Sequence, residues 1–140
     1  MISDIYREEI LEHYREPQNF GELPSFDVSS KQLNPFCGDE IEMFVKFNVR
    51  EDYRGAATNT PRRCTILNIR FIGKGCAISI AAASILTEFV KGKSKTLLTK
   101  FSEEDMLSLL QIEVSEIRKK CALLGWAVLQ ECLQQVQSVK

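Results

Sequence analysis

Residues 41–49, IEMFVKFNV, set the fold class. Ile41, Met43, Val45, Phe47 and Val49 fall on one face, with Glu42, Lys46 and Asn48 among those opposite. A two-residue period with one apolar face is the pattern of a half-buried strand. Residues 65–72, TILNIRFI, alternate more loosely and would pair with it antiparallel. The connector, REDYRGAATNTPRR, is polar and carries Gly55 and Pro61, so it reads as a hairpin loop. A third, shorter strand is expected near Phe26–Ser30.

Helical patterns flank these strands. Residues 3–15 read as an amphipathic helix with Ile2, Ile5, Tyr6, Ile10 and Tyr14 on one face. Ser3 or Asp4 can cap its start, and Pro17 ends it before the turn-rich EPQNFGELPS. His13, the only histidine, falls on the polar side, where a solvated role is expected. After GKGC, the stretch AISIAAASILTEFVKG is small and apolar almost all round, the mark of a helix buried on most sides. Gly92 supplies its C-terminal stop. Ser102 and Asp105 stand in capping-box spacing at the start of a short helix. The last helix begins near Ser115, with Ile117, Cys121, Leu124, Val128, Cys132 and Val136 along one stripe. Strands grouped first and helices afterwards predict an α+β fold, a small antiparallel β-sheet of about three strands packed against helices. At 140 residues, with no internal repeat, the chain reads as one domain over 1–140.

Charge and composition exclude several classes of function. Lys and Arg number 18 and Asp and Glu 19, so there is neither a basic field for nucleic acid nor an acidic tail. No apolar run approaches the roughly 18 residues that span a bilayer, so no membrane role is expected. The N-terminal MISDIYREEILEHYRE is too regularly polar for a signal or transit peptide, and a cytoplasmic protein is expected. Cys37, Cys64, Cys76, Cys121 and Cys132 are odd in number, which favours metal binding or thiol chemistry over a disulfide framework. No close CxxC pair points to a zinc ribbon or a thioredoxin motif.

Three cysteines have distinct settings. Cys37 lies in NPFCGDE (34–40), a Pro/Gly turn before the first long strand, with Asp39 beside it. Cys76 lies in GKGCA, where a glycine loop enters a helix whose amides and dipole favour a thiolate. Cys121 lies in the first turns of the last helix. All three regions could converge at one end of the sheet, giving three thiolates and a carboxylate suited to zinc or iron–sulfur chemistry. Plainer accounts stand beside this one. Cys121 also fits the apolar stripe as a core cysteine. Cys76 also fits as a small residue at a tight turn, and Cys37 to Asp39 as a β-turn with an Asx bond. Cys64, at a strand start, and Cys132, on the inner stripe, read as packing residues.

NPFCGDEI, GKGCAISIAAASILTEFVKGKS and IRKKCALLGWAVL resemble, in order, the three cysteine segments of the NifU-like N-terminal family, which comprises the IscU and SufU proteins of iron–sulfur cluster assembly. YREEILEHYREPQNFGEL is similar to that family's opening helix and its H-Y-x-x-P-x-N-x-G turn, so the resemblance covers nearly the whole chain. It implies a SufE/NifU-like α+β fold with a metal site exposed at one end. Cys37, Asp39, Cys76 and Cys121 match the family's site residues. The two branches diverge around the third cysteine. IscU proteins usually place a histidine before it and an LPPVK segment upstream, whereas this chain has Lys120 and LQIEVSEIRKK. SufU proteins read close to R-x-K-C-A-x-L-x-W, which Arg118, Lys120, Cys121, Ala122, Leu124 and Trp126 fit. The insertion that SufU proteins carry between the second and third cysteines is absent, and the hairpin loop is longer than in either branch.

The resemblance implies an assembly protein that accepts sulfur from a cysteine desulfurase and serves apo iron–sulfur proteins or downstream assembly factors. Cys121 would be the acceptor, and Arg118, one turn earlier, could supply positive charge. In a scaffold version a [2Fe-2S] cluster assembles on Cys37, Asp39, Cys76 and Cys121. In a zinc version the ion poises the thiolates for sulfur relay, as a zinc-dependent sulfurtransferase would. The missing histidine and Trp126 tilt the expectation toward zinc. A divergent member with only a structural zinc site and a protein-binding role is the alternative. Asp39 would be the harder, weaker ligand, so Asp39→Ala is expected to slow release of metal or cluster. The arginines of loop 50–63, Arg50, Arg54, Arg62 and Arg63, are read as a solvated hairpin tip.

Overall fold

The computed structural model describes residues 3–35, 38–51 and 62–136. Cys37, Ile2 and the connector 52–61, including Arg54, lie outside the described residues. The element order is α1 (Ser3–Arg15), β1 (Val28–Asn34), β2 (Asp39–Glu51), β3 (Arg62–Lys74), α2 (Ala77–Val90), α3 (Lys95–Thr99), α4 (Glu103–Leu110) and α5 (Glu116–Gln134).

The strands form an antiparallel sheet in the order β1-β2-β3. Ile41, Met43, Val45 and Phe47 are buried on its inner face as the alternation predicts, whereas Val49 is exposed where that face runs out. Phe44, on the other face, is also buried, against the Phe26 ring 5.2 Å away. The looser alternation of β3 has a local cause. Lys46 pairs with Asn68 but Phe47 pairs with Ile66, so Leu67 is an extra residue in β3. A bulge of this kind shifts the inward set by one. Cys64 and Ile66 point inward before it and Ile69 and Phe71 after it, while Leu67 is exposed. The strands are longer than the alternation indicated, since Arg50 pairs with Arg63 and Glu51 with Arg62.

Helix α5 packs across β1 and β2, and α2 across β3. The small residues of α2 let the two helices approach closely. A Cβ on Gly125 would stand 3.3 Å from the Cβ of Ala83. Most of α2 is therefore buried, including Ala81, Ala82, Ala83, Leu86 and Val90. Helix α4 begins with the expected capping box between Ser102 and Asp105, and Ser115 caps α5. The short α3 has no apolar period to announce it; Ser94 starts it by accepting from the Leu97 N–H at 3.1 Å.

Two helix faces differ from the sequence reading. In α1, Ile10 is buried but Tyr14 is exposed, and the inward residue is His13. His13 Nδ1 lies 2.6 Å from the hydroxyl of Ser84, a fully buried polar residue of α2 that needs partners. In α5, Ile117 is 75% exposed because the helix reaches its cover only a turn later, at Cys121.

Candidate metal centre

Four chain segments meet at one end of the sheet. Asn34, the last residue of β1, is paired with Asp39, the first of β2. Glu40 is paired with Lys74 at the end of β3, and α2 starts three residues later. The second turn of α5 brings Cys121 to the same place. The ligand atoms of Asp39, Cys76 and Cys121 all lie within 4.8 Å of one another. This is the convergence expected from the sequence for three of the four candidate residues.

Each side chain is held by its own segment. Asp39 is 1% exposed. Its Oδ1 accepts the backbone N–H of Cys76 at 3.0 Å, and Cys76 is the N-cap of α2 without a cap bond from its own side chain. Asp39 thus supplies from another strand the acceptor that a helix start requires. Gly75 makes the approach feasible. A Cβ there would stand 2.4 Å from Asp39 Oδ1 and 2.6 Å from Ser79 Oγ, distances no side chain tolerates. Ser79, fully buried, donates its hydroxyl hydrogen to the Cys76 carbonyl at 3.0 Å. Cys76 is half-buried and its thiol donates to Ser79 Oγ at 3.9 Å. Cys121 is fully buried, and the Asn34 side-chain amide donates to its Sγ at 3.8 Å.

The donor set fits a metal ion on a specific observation. Among the described residues, Asp39 Oδ2 is buried and accepts no hydrogen bond. An orphaned carboxylate oxygen is costly in a protein interior unless a cation or donor faces it. The Cys76 and Cys121 thiols lie close to this carboxylate, and as thiolates they would share an ion with it. Two thiolates and one oxygen suit zinc or cluster iron rather than magnesium or calcium.

The other cysteines stand apart, as the sequence suggested. Cys64 and Cys132 are buried among apolar side chains, and burial pushes both thiols up, that of Cys132 to about 12. Neither is poised to act as a thiolate. Arg118 is exposed on α5, three residues before Cys121. Trp126 anchors α5, its indole N–H donating to the Phe101 carbonyl at 2.8 Å. Asn34, Gly75 and Ser79 were not singled out from the sequence. Gly75 and Ser79 follow the spacing around Cys76, but nothing local marks Asn34 as reaching a residue on the last helix.

The chain matches the NifU-like N terminal domain family over residues 5–140. It is 32% identical over 149 aligned positions to the zinc-dependent sulfurtransferase SufU of Bacillus subtilis, covering 93% of this chain and 90% of that one. It is 32% identical over 151 positions to the iron-sulfur cluster assembly scaffold protein IscU of Streptococcus pyogenes, covering 95% and 85%. Its fold is similar to that of a NifU-like protein (N-terminal) from Brucella abortus, with a TM-score of 0.71 at 17% identity over 96% of each chain. Ordered cysteine motifs, the α+β architecture and a match over nearly all of its length agree that the chain belongs to the NifU-like N terminal domain family.

Proposed function

We propose that this protein serves iron–sulfur cluster assembly, accepting sulfur from a cysteine desulfurase and assembling or relaying it at a site of Cys37, Asp39, Cys76 and Cys121. The observation that carries this reading is buried Asp39, whose Oδ2 has no hydrogen-bond partner among the described residues and whose carboxylate lies with the Cys76 and Cys121 thiols in a group of ligand atoms within 4.8 Å of one another. Family membership and the names of the relatives, a zinc-dependent sulfurtransferase and a cluster scaffold, supply the context.

Asp39, Cys76 and Cys121, with Cys37 from the preceding turn, would hold zinc or the iron of a [2Fe-2S] cluster. A bound ion would keep the thiolates deprotonated at neutral pH. The chain's own residues do the rest. In sulfur transfer, a thiolate attacks the outer sulfur of the desulfurase persulfide. A new S–S bond forms, the donor's S–S bond breaks, and the donor cysteine leaves as a thiolate, so no external oxidant is needed. We assign the attack to Cys121, with exposed Arg118 able to offer positive charge to the departing thiolate. Because Cys121 is fully buried, its attack requires this end of the sheet to open. Half-buried Cys76 favours a second version, in which Cys76 receives the sulfur first.

The test combines metal analysis with sulfur mapping. Protein purified without oxygen is expected to carry near-stoichiometric zinc, or iron with matching acid-labile sulfide, and to lose it in Cys37→Ala and Cys76→Ala. After incubation with a desulfurase and cysteine, mass spectrometry is expected to find a persulfide on Cys121. A persulfide on Cys76 alone would select the second version. Bound zinc with no persulfide on any cysteine would replace sulfur transfer by the structural-zinc alternative. Absence of both metal and persulfide would overturn the proposal.

A further inference from the structure

Asn34 ends β1 with 6% of its surface exposed, an unusual degree of burial for an amide side chain at a strand end. Its carbonyl accepts the N–H of Gly38, just before β2, at 2.9 Å. Its side-chain amide reaches Cys121 Sγ, 87 positions away in sequence, at 3.8 Å. Asn34 therefore touches both the turn before β2 and the sulfur on α5. The other thiol of the site has a different neighbour. Ser79 stands beside Cys76 Sγ, but its hydroxyl hydrogen is already donated to the Cys76 carbonyl.

A sulfur bearing negative charge is stabilised by an N–H donor. The same bond withdraws electron density from the sulfur, and such outer partners tune how a ligand binds its metal. From this asymmetry we infer that Asn34 is a positioning residue, whose amide holds Cys121 Sγ toward Asp39 and Cys76 and makes it the weaker of these two sulfur donors to a bound ion. Cys121 is then the arm of the site most readily freed to react. The inference rests on the metal-site reading proposed above.

Two substitutions remove the donor but differ in packing: Asn34→Leu keeps the bulk, and Asn34→Ala leaves a void. With cobalt(II) as the probe, the sulfur-to-metal charge-transfer bands are expected to move to longer wavelength by a similar amount in both. The ligand-field bands should stay those of a tetrahedral site. Bands that stay in place in both variants, or move only in Asn34→Ala, would overturn the inference, the latter because packing alone would explain it. A second readout needs no metal. In the metal-free wild-type chain the side-chain amide proton resonances of Asn34 are expected to move on Cys121→Ala, and unmoved resonances would also overturn it. A wild type that takes up no cobalt, yet whose Asn34 amide responds to Cys121→Ala, would sustain the amide–sulfur bond and remove the metal-site reading instead.

Discussion

Asp39 and Cys76 are joined by a hydrogen bond of 3.0 Å from the backbone N–H of Cys76 to Asp39 Oδ1, across 37 residues of sequence. One carboxylate oxygen thus caps α2, while the other is buried with no hydrogen-bond partner among the described residues, in a side chain grouped with two thiols. Helix start and candidate metal site share a single side chain.

This dual duty can be separated by substitution. Asp39→Asn keeps an oxygen acceptor for the Cys76 N–H, whereas Asp39→Ala does not. In urea denaturation of the metal-free chain, the Asn variant is expected to exceed the Ala variant by about 1 kcal/mol, the worth of a helix cap. In the metal-loaded chain, Asp39→Ala is expected to release its ion to a chelator more slowly than wild type. Equal stability of the two variants would show that the cap bond contributes nothing, and unchanged release kinetics would count against Asp39 as the labile ligand.

Gly75→Ala should damage the site without replacing any candidate ligand. The new methyl group would meet Asp39 Oδ1 and Ser79 Oγ well inside contact distance, so the carboxylate must move. A loss of about 1–3 kcal/mol is expected, as for other overpacked positions. The clash also displaces Ser79 and the loop that positions Cys76, so zinc affinity measured by chelator competition is expected to fall. Wild-type affinity in a folded Gly75→Ala chain would mean that the packing around Gly75 does not set the site.

The buried thiol of Cys132 predicts a loss of stability in alkali. Its folded value is pushed up to about 12 by burial, well above that of a thiol in the unfolded chain. Above the ordinary thiol value the unfolded chain therefore holds fewer protons than the native one, and stability falls as pH rises until about 12. The slope from this group is at most about 1.4 kcal/mol per pH unit. Denaturation between pH 8 and 11 is expected to show a shallower decline in Cys132→Ala than in wild type. Parallel profiles would refute the assignment.

His13 gives a prediction opposite to its sequence reading. Its ring is bonded to buried Ser84, which also accepts the Gln18 N–H at 2.7 Å. His13→Ala is expected to cost about 1–3 kcal/mol, because a buried hydroxyl loses a partner. The exposed neighbour Arg15 serves as control, with Arg15→Ala expected within about 0.5 kcal/mol of wild type. A neutral His13→Ala would restore the view of His13 as a surface residue.

The sequence by itself determined the elements whose period is local. The inward positions Ile41, Met43, Val45 and Phe47, the nearly all-buried α2, the capping box at Ser102 and the start of α5 at Ser115 all follow from side chains a few residues apart. It also marked Asp39 and Cys76, because a thiol and a carboxylate beside Pro, Gly and helix-start signals are unusual company, whereas Cys121 fitted an apolar stripe and was singled out by the family resemblance. Tertiary structure decided what depends on which surface a helix meets. Periodicity can name an apolar stripe, but Tyr14 and Ile117 lie on theirs and are exposed, since the stripe does not say where its cover ends. The bulge at Leu67 likewise needs its partner strand before the extra residue can be counted. The same holds at the site. Asp39 could be picked out as a candidate ligand from its neighbours, but its role as the cap of α2, the room Gly75 leaves for it and the reach of Asn34 to Cys121 exist only once distant segments are packed together. Hydrogen bonds between distant segments leave no periodic trace in the chain that forms them.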